Sequence, residues 1–268
     1  MAPIITLLTD FGVESTYPAQ MKGVILGRCP GAVLVDLSHG VPAHDVHTAA
    51  FMLASAAPAF PPGTIHVVVV DPQVGSQRRF LAAEADGHTY IGPDNGVLTL
   101  VTRGGLLRGA GEGKVRVFSV ENRAFFRTEV SSTVHGRDIF APVAAAIADG
   151  VDVADMGPEI DSIEEFEVPL PKRDGGRITG QVLYVDPFGN LVTNIAGSML
   201  AGAGADIQVR IAGAVVRGVS RAYSDVPAGM LLAYIGSAGL LEVAVNRQSA
   251  ATRLGAGIGT PLTAVVPS

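Results

Sequence analysis

The sequence predicts an α/β protein: an N-terminal α/β domain with a largely parallel central sheet, followed by a C-terminal all-β domain, a small barrel or sandwich. Three observations carry this. Short β-branched apolar runs alternate with helical stretches through the first half, the pattern of βαβ units. Helical periodicity then gives way, beyond about residue 174, to strand-length runs at short spacing. Between the two lies a charged, proline-containing stretch, EEFEVPLPKRDGG from Glu164, read as a linker over Glu164 to Arg173. The expected domains are residues 1–165 and 174–268.

The elements follow in order. Ile4 to Thr9 (IITLLT) is a strand ending at Asp10. Met21, Val24 and Ile25 mark the apolar face of a helix from about Pro18 to Arg28. Ala32 to Leu37 is the next strand, followed by a helix over Asp45 to Ala57 that Pro58 and the Pro61-Pro62-Gly63 turn stop. Thr64 to Val70 (TIHVVVV) is the strongest strand signal in the chain and reads as buried on both faces. Tyr90-Ile91 closes a fourth strand before the Gly92-Pro93-Asp94-Asn95-Gly96 turn and a short helix through Thr102. A helix spans Ile139 to Ala148. In the second half, strands are expected over Ile178–Val185, Ile207–Val219 with a turn at Gly213, Leu231–Ile235 and Leu240–Val245. Gly236-Ser237-Ala238-Gly239 joins the last two as a hairpin.

Composition narrows the class. Of 268 residues 48% are apolar and only 16% charged, with a formal charge of −6 and dispersed Lys and Arg, which argues against a nucleic-acid surface. No apolar run is long enough to span a membrane, and the N-terminus lacks the marks of a signal peptide. The single Cys29 excludes an internal disulfide, suggests a reducing cytoplasm, and is expected to pack at a helix end. The C-terminal third, rich in Ala, Val and Gly, suits burial against another subunit.

Candidate chemistry collects at strand ends. Asp10, Asp71 and Asp94 each follow a strand, so three carboxylates converge on one sheet edge if those strands are neighbours. The strand ending at Val70 delivers Asp71 and, through a glycine-containing turn, Arg78 and Arg79; the plainer alternative is a surface turn with a solvated ion pair. The cluster Ser131 to Asp138 precedes a helix, where Asp138 reads as an N-cap, a role that leaves His135 unexplained. Asp186 to Asn194 follows a strand, with an Asx turn in a hairpin as its structural alternative. Asp36, His39, His44, Asp45 and His47 lie close together, and His44 and His47 at i, i+3 could ligate a metal; an Asp cap on the helix competes with that reading. No P-loop, GxGxxG after the first strand, or GxSxG elbow is present.

Leu8-Thr9-Asp10-Phe11-Gly12, Val35-Asp36-Leu37-Ser38-His39, Val70-Asp71-Pro72, Arg78-Arg79, Gly92-Pro93-Asp94-Asn95-Gly96, His135-Gly136-Arg137-Asp138, Asp186-Pro187-Phe188-Gly189-Asn190 and Ser237-Ala238-Gly239 together resemble one family, nearly end to end and in order. It is the S-adenosylmethionine hydroxide adenosyltransferases, adenosine-forming SAM hydrolases related to the SAM-dependent fluorinases and chlorinases. The sequence departs from the family pattern at Glu14, Gln73 and Val134. The resemblance implies an N-terminal α/β domain, a C-terminal barrel and a homotrimer with inter-subunit active sites. It implies Asp71, Arg78 and His135 as the catalytic trio that favours hydroxide over halide. By similarity Asp10 would meet the ribose hydroxyls, Asp186 the methionine ammonium and Ser237 its carboxylate. Phe188 would stack on adenine, Asn190 would bond its edge, and the backbone from Val245 to Arg247 would line the adenine pocket. SAM would be the substrate, with no further cofactor and no metal.

The expected reaction is attack of water at C5′ to give adenosine and L-methionine. The sulfonium already provides a neutral leaving group, so the difficulty lies in activating water. The alternatives are a SAM-dependent halogenase, a SAM- or adenosine-binding protein without turnover, and a metal-dependent hydrolase built on the His39–His47 cluster.

Overall fold

The computed structural model describes residues 2–106, 114–201 and 206–266; residues 1 and 268, the outer limits of the two expected domains, lie outside them. The chain divides into two compact units, Met1–Phe166 and Glu167–Ser268.

The first unit contains β1 (Ile4–Thr9), α1 (Tyr17–Arg28), β2 (Val33–Ser38), α2 (Val46–Ala56), β3 (Ile65–Val69), β4 (Phe80–Ala85), β5 (His88–Pro93), α3 (Thr99–Thr102), β6 (Arg116–Ser119) and α4 (Ala141–Ala148). Its six-stranded sheet runs β2-β1-β3-β5-β4-β6. The pairs β1–β2, β1–β3 and β3–β5 are parallel, whereas β4 is antiparallel to both β5 and β6. The sheet is therefore mixed rather than largely parallel. The reason is local: Asp86 and Gly87 both take positive φ, 50° and 79°, and so make a tight hairpin of β4 and β5.

On β3, Ile65, Val67 and Val69 enter one core with Met21 and Ile25 of α1 and Val143 of α4, while His66 and Val68 are fully buried on the opposite face. That two-sided burial is what the TIHVVVV run predicts. Cys29 is the buried C-cap of α1, as expected, and Asp45 caps α2 by accepting from Thr48 N at 2.9 Å.

The segment read as a linker is docked at both ends. Glu164 N–H donates to Asp94 (2.7 Å), Arg103 holds Glu165 (2.7 Å), and the Phe166 ring lies 4.4 Å from that of His47. Lys172–Asp174, β7, already pairs with the next strand.

The second unit contains β7, β8 (Arg177–Val185), β9 (Leu191–Ala196), β10 (Gln208–Ile211), β11 (Ala214–Arg217), β12 (Leu231–Ile235), β13 (Leu240–Val245), α5 (Ala250–Leu254) and β14 (Pro261–Val265). Its antiparallel sheet runs β11-β10-β14-β8-β9-β13-β12, with β7 on the flank of β8. A bridge between Ser220, just past β11, and Tyr234 of β12 brings the two ends together, so the sheet is a nearly closed barrel. The unit is not all-β: Ser249 caps the short α5, which Gly255 ends in a left-handed conformation.

Candidate active site

The parallel register of β1, β3 and β5 puts Asp10, Asp71 and Asp94 on one edge of adjacent strands, as expected. Their surroundings then separate them. Asp94 is buried, paired with Arg79 at 2.6 Å, and accepts the Glu164 backbone N–H, so it clamps the chain. Asp10 accepts the backbone N–H of His44 at 2.9 Å. Asp71 meets Arg78.

The Asp71 and Arg78 side chains are only 5% and 2% exposed, so the solvated-ion-pair alternative does not describe them. Arg78 donates from Nε to Asp71 Oδ1 (2.6 Å) and from Nη2 to Asp71 Oδ2, a bidentate pair. The same Nη2 lies 3.0 Å from His135 Nδ1. A guanidinium can only donate, so Nδ1 accepts and the neutral ring carries its proton on Nε2. Burial, together with the neighbouring Arg78 cation, holds the imidazole below its ordinary value, against the opposing pull of Asp71 and Asp138. Arg78 Nη1 is buried and finds no acceptor among the described residues.

Two local features bring these distant loops together. Gly75 has φ +84°, and a Cβ there would stand 2.9 Å from the Ser132 carbonyl oxygen, so only glycine lets the Asp71–Arg78 loop touch the His135 loop. Phe80, which opens β4, provides the floor: its ring is edge-on to His135 at 5.2 Å, with the Arg78 guanidinium 5.0 Å above it.

Asp138 is not the helix N-cap expected from sequence. Gly136–Phe140 form a π-helical turn in which the Ala141 N–H reaches back to Gly136, and Asp138 is fully buried inside it. Its carboxylate accepts from Arg137 (2.7 and 2.9 Å), Arg127 (2.9 Å) and the Ser131 N–H (2.9 Å). Burial alone would raise this carboxyl, but these donors hold it down to about 2. Asp138 thus ties the Ser131–His135 loop to the start of α4. A cavity of about 720 Å³ opens beside His135, lined in part by Gly75, Phe80, Arg127 and Ser131.

The His39 cluster resolves into structural bonds. His39 Nδ1 meets Thr9 Oγ1 at 2.9 Å, its Nε2 lies 2.9 Å from Asp36, Lys22 holds Asp36 at 2.6 Å, and Asp45 is spent as a cap. Among the described residues no group of three or more His, Cys, Asp or Glu is arranged to hold a metal ion.

In the second unit, Asp186 makes the Asx turn: it accepts from Phe188 N (2.9 Å), Asn190 N (2.8 Å) and Asn190 Nδ2 (2.7 Å). This turn leaves Phe188 79% exposed beside a cavity of about 430 Å³, lined by Phe188, Asn190, Tyr223, Val245, Arg247, Gln248 and Ser249. The volume falls within the small-ligand range. Four expected site residues, Phe188, Asn190, Val245 and Arg247, therefore share one cavity, with Asp186 fixing its loop. Arg247 is exposed with φ 63°, and Gln248 N–H returns to the Val245 carbonyl (3.1 Å). Ser237 is exposed in the β12–β13 turn and does not line this cavity. Sequence reasoning missed Phe80, Tyr223, Tyr234 and Glu242. The hairpin register sets Tyr234 opposite Glu242, a lone carboxylate in an apolar strand, which is a readable signal.

Fold and site together define a two-unit α/β-plus-barrel enzyme whose α/β unit buries a carboxylate–guanidinium–imidazole trio and whose barrel unit presents a cavity of small-ligand size. The chain belongs to the SAM hydroxide adenosyltransferase family: the family's N-terminal domain model matches residues 5–157 and its C-terminal domain model residues 180–263. It is 38% identical to the (R)-S-adenosyl-L-methionine hydrolase of Thermus thermophilus, over 98% of this chain and 99% of that one. The hydrolase of the same name from Salinispora tropica is 38% identical over 94% of each chain. A fluorinase from an Actinoplanes species is more distant, 29% identical over 78% of this chain and 77% of its own. Among solved structures, an uncharacterized conserved protein from Thermotoga maritima superposes with a TM-score of 0.89 at 35% identity, covering 97% of this chain and 99% of that one.

Proposed function

We propose that the protein hydrolyses S-adenosyl-L-methionine to adenosine and L-methionine, with the (R) form as the first substrate to test, since that is the form named for its relatives. The observation that carries the chemistry is Arg78: buried, doubly bonded to Asp71, bonded to His135, and with an Nη1 donor that has no acceptor among the described residues. A buried N–H without an acceptor is costly, and a water oxygen acquiring negative charge would satisfy it.

In this reading the water oxygen forms its bond to C5′ as the C5′–S bond breaks. The electron pair goes to sulfur and leaves methionine as a neutral thioether. The water proton passes to Asp71, whose carboxylate keeps lone pairs beyond the two that Arg78 occupies. His135 accepts from Arg78 at Nδ1, so its part is to hold the guanidinium in register and to remain uncharged beside it. The Phe188–Arg247 cavity takes the nucleoside and the Ser237 turn the amino-acid carboxylate.

Asp10 is assigned to the ribose hydroxyls on the resemblance. The working form is a cytoplasmic homotrimer, again on the resemblance; no helix of the described residues is long and apolar enough to cross a membrane. The test is chromatographic: purified protein with SAM should release adenosine and methionine in equal amounts, with turnover unchanged by a chelator. A 5′-halo-adenosine product in chloride or fluoride would move the protein to the halogenase branch. Adenosine binding with no product would reduce it to a binding protein.

A further inference from the structure

Glu242 is a carboxylate that the reaction does not use and that is nevertheless buried inside an apolar strand, LLEVAV. Its neighbours explain why it is there. The Tyr234 hydroxyl donates to Glu242 Oε2, the Tyr223 and Tyr234 hydroxyl oxygens are 2.8 Å apart, and Asn190 Nδ2 donates to the Tyr223 hydroxyl at 2.9 Å. The second Asn190 Nδ2 hydrogen goes to Asp186 at 2.7 Å.

The chain of bonds has only one consistent direction. The Glu242 carboxylate can only accept, so Tyr234 spends its one hydroxyl proton on it, and the Tyr223 hydroxyl therefore donates to Tyr234. The Tyr223 oxygen in turn accepts from Asn190 Nδ2. Both Asn190 N–H groups are thereby consumed, and the side chain keeps only its Oδ1 acceptor for a ligand. Glu242 also lies directly against the Cα of Gly236, where no Cβ could fit, and so supports the turn that carries Ser237.

We propose that Glu242 is a positioning residue: through Tyr234 and Tyr223, and alongside Asp186, it holds the Asn190 amide with Oδ1 as its only free group, and so selects a nucleoside whose base turns an exocyclic amino group toward Oδ1. This rests on the reading of the Phe188–Arg247 cavity as a nucleoside site. At the 6-position an aminopurine satisfies Oδ1, whereas an oxopurine places a carbonyl oxygen there and sets acceptor against acceptor. Asp186 keeps the other Nδ2 hydrogen, so breaking the chain removes one of the two bonds that fix the amide, and the preference should fall.

The experiment compares adenosine and inosine binding by calorimetry for the wild type, Tyr223→Phe, Tyr234→Phe, Glu242→Gln and Glu242→Leu, together with the KM and kcat for SAM and the melting temperature. The wild type should prefer adenosine at least tenfold. Tyr223→Phe and Tyr234→Phe should bring that ratio below threefold and raise KM at least fivefold, with kcat within threefold. Glu242→Gln retains an acceptor for Tyr234 and should preserve most of the preference, whereas Glu242→Leu should lose it. A purely structural role would lower the melting temperature and leave the ratio untouched, and that result, or a wild type that does not distinguish the two nucleosides, overturns the proposal. A wild type that discriminates as stated but releases no adenosine from SAM overturns the proposed reaction and leaves the relay standing.

Discussion

Arg78 bridges Asp71 and His135 at once, and its loss tests that geometry. Replacing it with lysine keeps one positive charge but removes the fork that bridges Asp71 and His135. Turnover should fall by roughly 10²–10⁴, the range for positioned acid–base groups, with melting temperature little changed. A variant within tenfold of wild type would refute the role assigned to the guanidinium. Asp71→Asn should be as severe, because the amide can neither take the water proton nor accept both Arg78 donors without reorienting. The direction of His135 titration gives a separate test. Burial and the adjacent Arg78 cation hold the imidazole below its ordinary value of about 6.5, so the neutral ring survives into mildly acid solution. The acid limb of kcat/KM should therefore lie below pH 6.5, and an acid limb at or above that value would contradict the arrangement of Nδ1 facing Arg78.

At the level of elements, the β8–β9 turn shows how sequence dictates a site through one glycine. Gly189 has φ +83°, and any Cβ there would run into the side chain of Ser249, which caps α5. The Gly189 carbonyl in turn accepts from Ala251 N at 2.9 Å, so the turn is seated on the start of the helix. Gly189→Ala should cost about 1–3 kcal/mol for a backbone held in a sparsely populated region, and it should raise KM for SAM more than it lowers kcat, because the turn positions Phe188 and Asn190. Steady-state kinetics with a parallel thermal melt check both; an unchanged KM would show that the turn does not set the cavity. Strands with a β-branched run, such as β1 and β3, were legible, and so were β12 and β13, whose alternation and Gly-rich turn fix their register. Phe80–Ala85 was not: FLAAEA is rich in residues that favour helix, and it is a strand because the Asp86-Gly87 turn folds it onto β5. Asp186 to Asn194 reads in the sequence as one polar cluster, yet its second half enters β9, where both polar side chains are satisfied, Thr193 by the Leu241 carbonyl and Asn194 by the Pro169 carbonyl. The members of the trio were legible through the resemblance. Their floor, Phe80, depends on a contact between segments far apart in the chain, which no local pattern encodes; Asp138 is anchored by near neighbours, through a π-helical turn rather than the N-cap that its position suggests.

On the scale of the whole molecule, stability should depend on pH through a polar row running across three adjacent strands of the first sheet. Thr6 of β1, His66 of β3 and Tyr90 of β5 are in register. Thr6 Oγ1 meets His66 Nδ1 at 2.8 Å, the His66 ring stacks on Tyr90 at 5.1 Å, and His66 Nε2 lies 3.4 Å from His88 Nδ1. Burial, reinforced by His88, drives His66 from 6.5 down to about 3 in the folded protein. In the unfolded chain the same ring titrates near 6.5. Above that pH both states hold it neutral and the row contributes fully. As pH falls from 6.5 toward 3 the unfolded state binds a proton that the folded state refuses, so stability declines through that window. Each tenfold difference in proton affinity corresponds to about 1.4 kcal/mol, so the loss amounts to a few kcal/mol, a large share of a typical folding free energy. His66→Asn retains a polar partner for Thr6 but removes the titration. It should lower the melting temperature at pH 7.5 and flatten the fall between pH 6.5 and 4.5 that the wild type shows. An equally steep fall in this variant would place the acid sensitivity elsewhere, in carboxylates such as Asp138 that donors hold ionised. The pH dependence of activity must then be read in the range where melting shows the fold intact, because His135 at the sheet edge and His66 at its centre both respond to acid, one through turnover and the other through the survival of the sheet that carries the site.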